Sequence, residues 1–274
     1  MKGARETMLE ELRKPLDGDQ LKAYLRRIGL DETPKKPSTD YLDEIIRAQL
    51  RHIPFDCASV WAEGVVPSLA VDDLFDKIII RKRGGYCFEL NGLFCRFLKD
   101  LGFDCYLVLV HLGRPTIIYP DINYPTHCAV IVNIDGTQRF ADVGYGGPVP
   151  DGSVPLDGSE VLNHKQGMHG PYTVVFSKNA DGSWFDRFTF KNMPCDPSEI
   201  VPVNFHTSQR EGSVFRADLK LNLRADDGFF EVGDRLFKAK VNGETIEQKI
   251  ETEEDAKEIA LKYFGIPNLP TRPF

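Results

Sequence analysis

The densest chemical signal in the sequence surrounds Cys87, which follows two glycines and opens a segment with apolar residues at helical spacing. The stretch from Arg83 to Gly92 reads Arg-Gly-Gly-Tyr-Cys-Phe-Glu-Leu-Asn-Gly. This spacing predicts a helix over 86–101. Cys87 would lie in the first turn, where free backbone N–H groups and the helix dipole lower a thiol pKa from about 8.5. A small buried residue at a helix start gives the same pattern, so position alone leaves both interpretations open.

A histidine and an aspartate downstream favour the catalytic interpretation. His127 begins a predicted β-hairpin whose turn is the Asp-Gly pair at 135–136, and Asp142 lies one residue before its end at Val143. If Ile134 pairs with Thr137 across a two-residue turn, the histidine and the aspartate are diagonal neighbours on one face, with β-carbons within about 7–8 Å. A three-residue loop would destroy this register. Together with the cysteine, the chain then supplies a nucleophile, a general base and a carboxylate that fixes the tautomer of the base.

Composition and charge restrict the classes of function. The chain has 274 residues, of which 42% are hydrophobic and 27% are charged, so it can form a folded core. Its 34 basic and 41 acidic residues give a net charge of -7, which disfavours nucleic acid and anionic membrane surfaces as partners. The charged N-terminus lacks the apolar region of a signal peptide, and no apolar run could cross a bilayer. We therefore expect a cytoplasmic protein.

The other cysteines and histidines give no second chemical site. Six cysteines without a Cys-x-x-Cys pair predict free thiols rather than a disulfide framework or a metal site. Glu89 and Arg83 beside the nucleophile could form an ion pair or tune the thiolate, and we favour the structural role. Packing or surface positions are expected for Cys95, Cys105, Cys128, Cys195, His52, His111, His164, His169 and His206.

Periodicity predicts an α+β, multi-domain fold: a helical bundle, then a central β-barrel or sandwich, then a smaller mixed unit. The predicted helices are 19–30, 41–50, 71–80, 86–101 and 252–263. The predicted strands are 105–111, 127–134, 138–143, 172–176, 185–190, 215–223, 229–232, 236–241 and 244–250. The predicted boundaries are an N-terminal extension (1–20), a helical domain with the cysteine (21–102), a barrel domain with the histidine and aspartate (103–203), and a C-terminal domain (204–274).

Three of these motifs resemble the arylamine N-acetyltransferase family in its bacterial or fungal form. They are the motif around Cys87, the Thr-His pair at 126–127, and Ala-Asp-Val-Gly-Tyr-Gly at 141–146. Weaker matches extend the resemblance from Leu21 to Ile266, and leave the first twenty residues unexplained. These weaker matches lie at 24–29, 53–56, 204–208 with 215, and 263–266.

The resemblance implies a ping-pong acetyl transfer with no metal and no permanently bound cofactor. Cys87 would take the acetyl group from acetyl-CoA and pass it to a small arylamine, arylhydrazine or N-hydroxyarylamine. His127 and Asp142 would complete a triad in a core like that of cysteine proteases, beneath a C-terminal α/β lid. The residues expected near coenzyme A and substrate are Thr126, Gly144, Tyr145 and Gly146.

Two departures from the family pattern and three alternative functions stay open. The family usually has Asn where Cys57 follows Asp56, so other groups must supply the hydrogen bonds of that Asn, and Phe is commonest at Tyr145. A Cys-His-Asp hydrolase or transglutaminase shares the triad, and an amide synthase or a propionyl or malonyl transferase would belong to the same family. The third alternative is a binding module with a vestigial triad. The residues that flank Cys87 favour the acetyltransferase, and retention of all three chemical groups disfavours the binding module.

Overall fold

Apolar residues at helical spacing place most of the helices before residue 101, as the sequence predicts. The computed structural model describes residues 2–113 and 124–273, with side chains from residue 7 onward. The helices of this part are α1 (Lys2–Arg13), α2 (Gly18–Arg27), α3 (Thr39–His52), α4 (Ala58–Trp61), α5 (Val71–Phe75, continued by a π-helical turn, Asp76–Ile80) and α6 (Cys87–Asp100). Their apolar faces share one core, in which the rings of Tyr24 and Phe97 stack at 3.8 Å.

Polar caps fix where these helices begin. The Asp17 carboxylate accepts two backbone N–H bonds in the first turn of α2, and the Ser38 hydroxyl accepts one in the first turn of α3. At α6 the Glu89 carboxylate reaches back to the backbone N–H of Tyr86, at 3.1 Å. Helix α6 therefore begins at Cys87, which confirms the helix start predicted for the cysteine.

Seven antiparallel strands form a nearly closed barrel after α6. They are β2 (Asp104–Leu112), β3 (His127–Ile134), β4 (Thr137–Ala141), β5 (Val154–Pro155), β6 (His164–His169), β7 (Tyr172–Lys178) and β8 (Trp184–Phe190), in the order β5-β4-β3-β2-β8-β7-β6. The rings of Phe140, Phe188 and Phe190 stack at 5.1–5.5 Å in the barrel core. The strands predicted here are confirmed, and the sequence did not predict β5 and β6.

The hairpin between β3 and β4 has the register that the sequence predicts. Ile134 pairs with Thr137, and the pairing continues to Val130 with Ala141. The turn residues Asp135 and Gly136 have φ values of 49° and 79°, the positive values that a two-residue primed turn requires. The register carries His127 and Asp142 to one end of the hairpin, with Asp142 directly after the last paired residue.

A second sheet contains four C-terminal strands and a short strand from the first sixty residues. Its order is β1-β9-β10-β11-β12, with β1 at Phe55–Asp56, β9 at Leu221–Ala225, β10 at Gly228–Gly233, β11 at Leu236–Val241 and β12 at Glu244–Lys249. Strand β1 pairs antiparallel with β9 through Phe55 and Asn222. The C-terminal part of the chain is thereby joined to the loop that also contacts the glycines before α6.

In the C-terminal part of the chain, one predicted strand is partly wrong and one helix was not predicted. The segment predicted as a strand over 215–223 contains helix α8 (Val214–Ala217) before β9 begins, because the Ser213 hydroxyl accepts the N–H of Phe215 and caps a turn. Helix α7 (Pro197–Gln209) was not predicted, although Asp196 caps it. The last helix, α9 (Glu253–Phe264), agrees with the prediction.

The N-terminal extension forms helix α1, which packs against α5 and α7. Leu12 and Leu16 are buried, and the guanidinium of Arg13 lies 2.5 Å from the carboxylate of Asp196. Burial of these two leucines gives the extension a packing role in the fold.

Candidate active site

The two glycines before Cys87 let the start of α6 pack directly against β1. A β-carbon on Gly84 would lie 2.0 Å from the carbonyl oxygen of Pro54, so no other residue fits without a backbone shift. The carbonyl of Gly85 accepts the backbone N–H of Asp56 at 2.9 Å. The glycines are therefore needed for close packing, and this packing fixes the position of Cys87.

The Cys87 thiol lies beside the start of β3. Its Sγ atom is 3.9 Å from the carbonyl oxygen of Thr126, and the Sγ atom of Cys128 is 3.6 Å from the carbonyl oxygen of Cys87. Both chain neighbours of His127 thus contact Cys87, which is only 3% exposed. Helix α6 and strand β3 thus bring Cys87 into contact with the two residues that flank His127, about forty positions further along the chain.

His127 and Asp142 form a short buried hydrogen bond. The Nε2 atom of His127 lies 2.6 Å from Oδ2 of Asp142, and both side chains are at most 2% exposed. The ring of Phe188 stacks on the imidazole at 5.9 Å, and the ring of Tyr145 meets it edge-on at the same distance. The bond and the two aromatic contacts hold the imidazole in one orientation, with Nδ1 left for a second partner.

Asn91 holds Asp142 in place, a role that the sequence analysis missed. Its Nδ2 donates to Oδ1 of Asp142 at 2.9 Å and to the carbonyl of Cys128 at 2.7 Å, while its Oδ1 accepts the N–H of Val143 at 3.0 Å. The spacing contained a signal, because Asn91 lies four residues after Cys87 and so on the same face of α6. One helix face therefore carries both Cys87 and the group that orients the Asp142 carboxylate.

The pKa of the Cys87 thiol is raised, contrary to the prediction made from its helix position. Burial raises the pKa well above its ordinary value, and the negative charge of Asp142 raises it further. The backbone N–H groups of Phe88 and Cys87 act in the opposite direction and do not compensate. A thiolate at this site therefore needs a nearby positive charge, which a protonated His127 would provide.

Arg83 and Glu89 do not pair with each other, but each has its own buried partner. The Nε atom of Arg83 lies 2.7 Å from Oδ2 of Asp56, and Nζ of Lys77 lies 2.7 Å from Oε1 of Glu89. Burial alone would raise the pKa of Asp56, but the charges of Arg83 and Lys77 outweigh it and lower that pKa. These pairs fix the segments around Cys87, in agreement with the structural role favoured from the sequence.

Of the four residues expected near coenzyme A and substrate, two glycines are needed for packing. A β-carbon on Gly144 would lie 2.8 Å from Nδ2 of Asn91, and one on Gly146, where φ is 72°, would lie 2.6 Å from the ring of Phe55. Tyr145 lies between these glycines and contacts His127, and Thr126 contacts the thiol. All four residues lie around the triad. Close packing alone explains why Gly144 and Gly146 are glycines, without a bound ligand.

Cys57, which stands where the family usually has Asn, makes its own buried hydrogen bonds to the backbone. Its Sγ accepts the backbone N–H of Lys220 at 3.2 Å and donates to the carbonyl of Asp218 at 3.6 Å. Burial raises the pKa of the Cys57 thiol to about 12. This cysteine joins the start of α4 to the segment before β9, and so has a structural role.

The six thiols are all unpaired, as predicted. Within the part of the chain that the structure describes, no three His, Cys, Asp or Glu side chains lie close enough together to bind a metal ion. Over the same residues, no helix combines the length and the apolar character needed to cross a membrane.

A buried Cys, His and Asp, assembled from a helix start and the end of a β-hairpin, define a Cys-His-Asp site within a mixed helix and barrel fold. The N-acetyltransferase family model matches residues 38–270. An arylamine N-acetyltransferase / N-hydroxyarylamine O-acetyltransferase from Salmonella typhimurium is 31% identical over 70% of this chain and 69% of its own. The arylamine N-acetyltransferase from Mycolicibacterium smegmatis is 28% identical over 90% and 91%. The chain therefore belongs to the arylamine N-acetyltransferase family, whose members are acyltransferases.

Solved structures agree with this assignment. The chain is similar to an M. smegmatis arylamine N-acetyltransferase with a TM-score of 0.81 and 26% identity, over 92% of both chains. It is also similar to a Mycobacterium marinum arylamine N-acetyltransferase solved in complex with CoA, with a TM-score of 0.78 and 26% identity over 90% and 93% of the chains. The overall arrangement of helices and barrel is thus that of the family.

Proposed function

We propose that this protein transfers the acetyl group of acetyl-CoA to the nitrogen of arylamines or arylhydrazines, or to the hydroxyl oxygen of N-hydroxyarylamines, through an acetyl-Cys87 intermediate. The names of the relatives support arylamines and N-hydroxyarylamines as acceptors, and the CoA complex of one relative supports a coenzyme A thioester as donor. The observation that carries the mechanism is the buried 2.6 Å bond between His127 and Asp142, next to a nucleophile held at a helix start. The 21–102 segment would supply the nucleophile, 103–203 the base and the carboxylate, and 204–274 the cover of the site.

In the first half-reaction, the thiol is the acceptor of the acetyl group. His127 takes the proton of the Cys87 thiol, and the thiolate attacks the thioester carbonyl of acetyl-CoA. The tetrahedral intermediate collapses with loss of the CoA thiolate, which receives the proton from the imidazolium. The products are acetyl-Cys87 and free CoA, with His127 neutral again.

In the second half-reaction, the amine is the acceptor. The nitrogen lone pair attacks the carbonyl of acetyl-Cys87, and His127 accepts a proton from the nitrogen as the new bond forms. Collapse of the intermediate breaks the C–S bond, and the Cys87 sulfur recovers its proton from the imidazolium. An amide leaves, and the enzyme returns to its starting state.

Asp142 and Asn91 would support both steps without contacting substrate. A carboxylate at Nε2 fixes the tautomer of His127 and stabilises the imidazolium that forms in each half-reaction. Asn91 and the backbone N–H of Gly144, 2.8 Å from Oδ1 of Asp142, keep that carboxylate directed at the ring. Thr126 and Tyr145, with Gly144 and Gly146, would border the space for the thioester and the amine.

Peptide mass spectrometry after incubation with acetyl-CoA, without amine, tests the proposal. One acetyl group should appear on Cys87 and leave on addition of an aromatic amine, with formation of the N-acetyl product. A Cys57→Ser variant is the matched control and should be labelled at Cys87 like the wild type. Labelling chiefly at another cysteine would overturn the assignment of the nucleophile. Peptide amide hydrolysis without acetyl-CoA consumption would favour the hydrolase alternative.

A further inference from the structure

The side chain of Arg187 lies next to the aromatic ring that borders the triad. Arg187 is on β8, and its guanidinium carbon is 4.6 Å from the ring centre of Phe185 and 5.6 Å from that of Tyr145. Its Nη1 donates to the Tyr145 hydroxyl at 3.4 Å, and its Nε donates to the Ser177 hydroxyl at 3.3 Å. Both bonds are long, so most of the donor capacity of the guanidinium is not used.

The charge of Arg187 has no carboxylate partner among the residues that the structure describes. Two other half-buried arginines do have such a partner, since Arg224 lies 2.9 Å and Arg51 lies 2.8 Å from the carboxylate of Asp151. The same charge acts on a neighbouring histidine: burial lowers the pKa of His164, and the charges of Arg187 and Arg224 lower it further. A half-buried guanidinium without a counter-ion attracts an anion.

The positive charge of Arg187 lies close to the reacting groups, because Tyr145 contacts both Arg187 and His127. The Tyr145 ring contacts both the imidazole of His127, at 5.9 Å between centroids, and the Arg187 guanidinium, whose carbon lies 5.6 Å from the ring centre. An anion at Arg187 would therefore be about one aromatic ring away from the catalytic base. A small molecule that reacts at Cys87 and carries a negative group at its far end can reach both places.

We propose that Arg187, with the hydroxyls of Tyr145 and Ser177, forms a carboxylate-binding subsite that makes the enzyme favour reactants with a carboxylate over neutral analogues of the same shape. This inference rests on the proposed acyl transfer at Cys87. A guanidinium binds a carboxylate with two parallel hydrogen bonds, and such charge-assisted bonds contribute a selectivity of roughly ten- to a hundredfold. Because the group is half-buried, we expect the lower end of this range.

The carboxylate can come from the amine or from the acyl group, and two sets of assays distinguish them. In the first, acetyl-CoA is kept constant, and kcat/KM is compared for 4-aminobenzoate and 4-aminobenzamide. In the second, a neutral aniline is kept constant, and kcat/KM is compared for malonyl-CoA and isovaleryl-CoA, which have similar shapes. Wild type, Arg187→Gln and Arg187→Lys are measured, with Arg139→Gln as matched control.

Arg139 is a suitable control because it is another half-buried barrel arginine, bonded to the Ser153 hydroxyl at 2.6 Å. In at least one set of assays, the ratio of carboxylate to neutral substrate should fall about tenfold in Arg187→Gln. The ratio should fall less in Arg187→Lys, which keeps the charge, and should not change in Arg139→Gln. The set in which the ratio falls identifies the reactant that carries the carboxylate. Use of ratios removes any general loss caused by repacking of Tyr145.

Three results would overturn the subsite or its basis. Ratios that are unchanged in both sets of assays for Arg187→Gln would exclude carboxylate binding. A uniform rise in KM for every CoA ester with unchanged ratios would also exclude it and assign Arg187 to the phosphates of CoA. A wild-type protein that acetylates neither the benzoate nor the benzamide would overturn the proposed function itself, together with the inference that rests on it.

Discussion

Cys57 and Cys87 both stand at helix starts in the same core, but their surroundings differ. Cys57 directly precedes α4 and Cys87 begins α6, with exposed fractions of 1% and 3%. The thiol of Cys57 is bonded to two backbone groups of the segment before β9. The thiol of Cys87 lies instead beside the start of β3, where its Sγ atom is 3.9 Å from the carbonyl oxygen of Thr126, the residue before His127. Cys57 holds two parts of the chain together, whereas the contacts of Cys87 are those expected of the nucleophile in the proposed function.

The comparison shows that a helix start alone does not activate a buried thiol. Burial raises the pKa of both thiols, to about 12 for Cys57 and well above the ordinary value for Cys87. Backbone N–H groups at Cys87 lower its pKa by less than burial and Asp142 raise it. Proton transfer to His127 is therefore the feature that would distinguish the reactive cysteine, since it supplies the missing positive charge.

The largest expected difference between the two cysteines is in turnover. Cys87→Ser should reduce acetyl transfer at least about a thousandfold, because a hydroxyl is much harder to ionise than a thiol beside the same imidazole. Cys57→Ser keeps a hydroxyl that can make both backbone bonds, so its kcat/KM should stay close to wild type. Steady-state assays with acetyl-CoA and an aromatic amine measure both variants. Comparable activity of the two variants would contradict a catalytic role for Cys87 that Cys57 does not share.

Asp142→Asn should decrease kcat/KM by roughly a hundred- to ten-thousandfold while the protein stays folded. The amide oxygen can still accept from Asn91 and from the N–H of Gly144, but the amide nitrogen presents donors to His127 and selects the wrong tautomer. Thermal unfolding and circular dichroism should match the wild type. Full turnover by the folded variant would show that the His127–Asp142 pair does not take part in catalysis.

His127→Gln should reduce the rate of Cys87 alkylation by iodoacetamide at pH 7 at least about tenfold. Without the imidazolium, burial and the charge of Asp142 keep the thiol pKa well above its ordinary value, so very little reactive thiolate is present at pH 7. Peptide mapping over a pH series measures the rate at each cysteine. Cys57 should react slowly in both proteins and serves as the internal control. Identical pH profiles for Cys87 would mean that another group activates it.

Cys57→Ala should lower the free energy of unfolding by about 1 kcal/mol at pH 7, because two buried backbone groups lose their partner. The raised pKa of Cys57 gives stability that is complete below the unfolded pKa of about 8.5 and is lost as the pH rises towards 12. The stability advantage of the wild type should therefore shrink above pH 8 and reverse by pH 10, because ionisation of the unfolded thiol lowers stability by about 1.4 kcal/mol per pH unit. Urea unfolding at both pH values measures it. An advantage that grows with pH would contradict the assignment.

The sequence determined the parts of this protein that depend on local spacing. The Asp-Gly pair at 135–136 fixed the β3–β4 register, and with it the meeting of His127 and Asp142, because a two-residue turn leaves one pairing. Periodicity and the glycine pair placed Cys87 at the start of α6, with Asn91 on the same helix face. The motifs around these residues also sufficed for the family resemblance, which the comparisons confirmed.

Only the tertiary structure decided what depends on partners far away in the chain. Strand β1 is two residues long and exists because β9 lies beside it, and no local pattern in 55–56 predicts that pairing. The same holds for the Cys57 bonds to 218–220 and for the carboxylate that Arg83 meets. The thiol pKa was predicted in the wrong direction because helix position can be read from sequence, whereas burial and the charge of Asp142 cannot. Burial and long-range charge are sums over the whole fold, and the fold alone determined them.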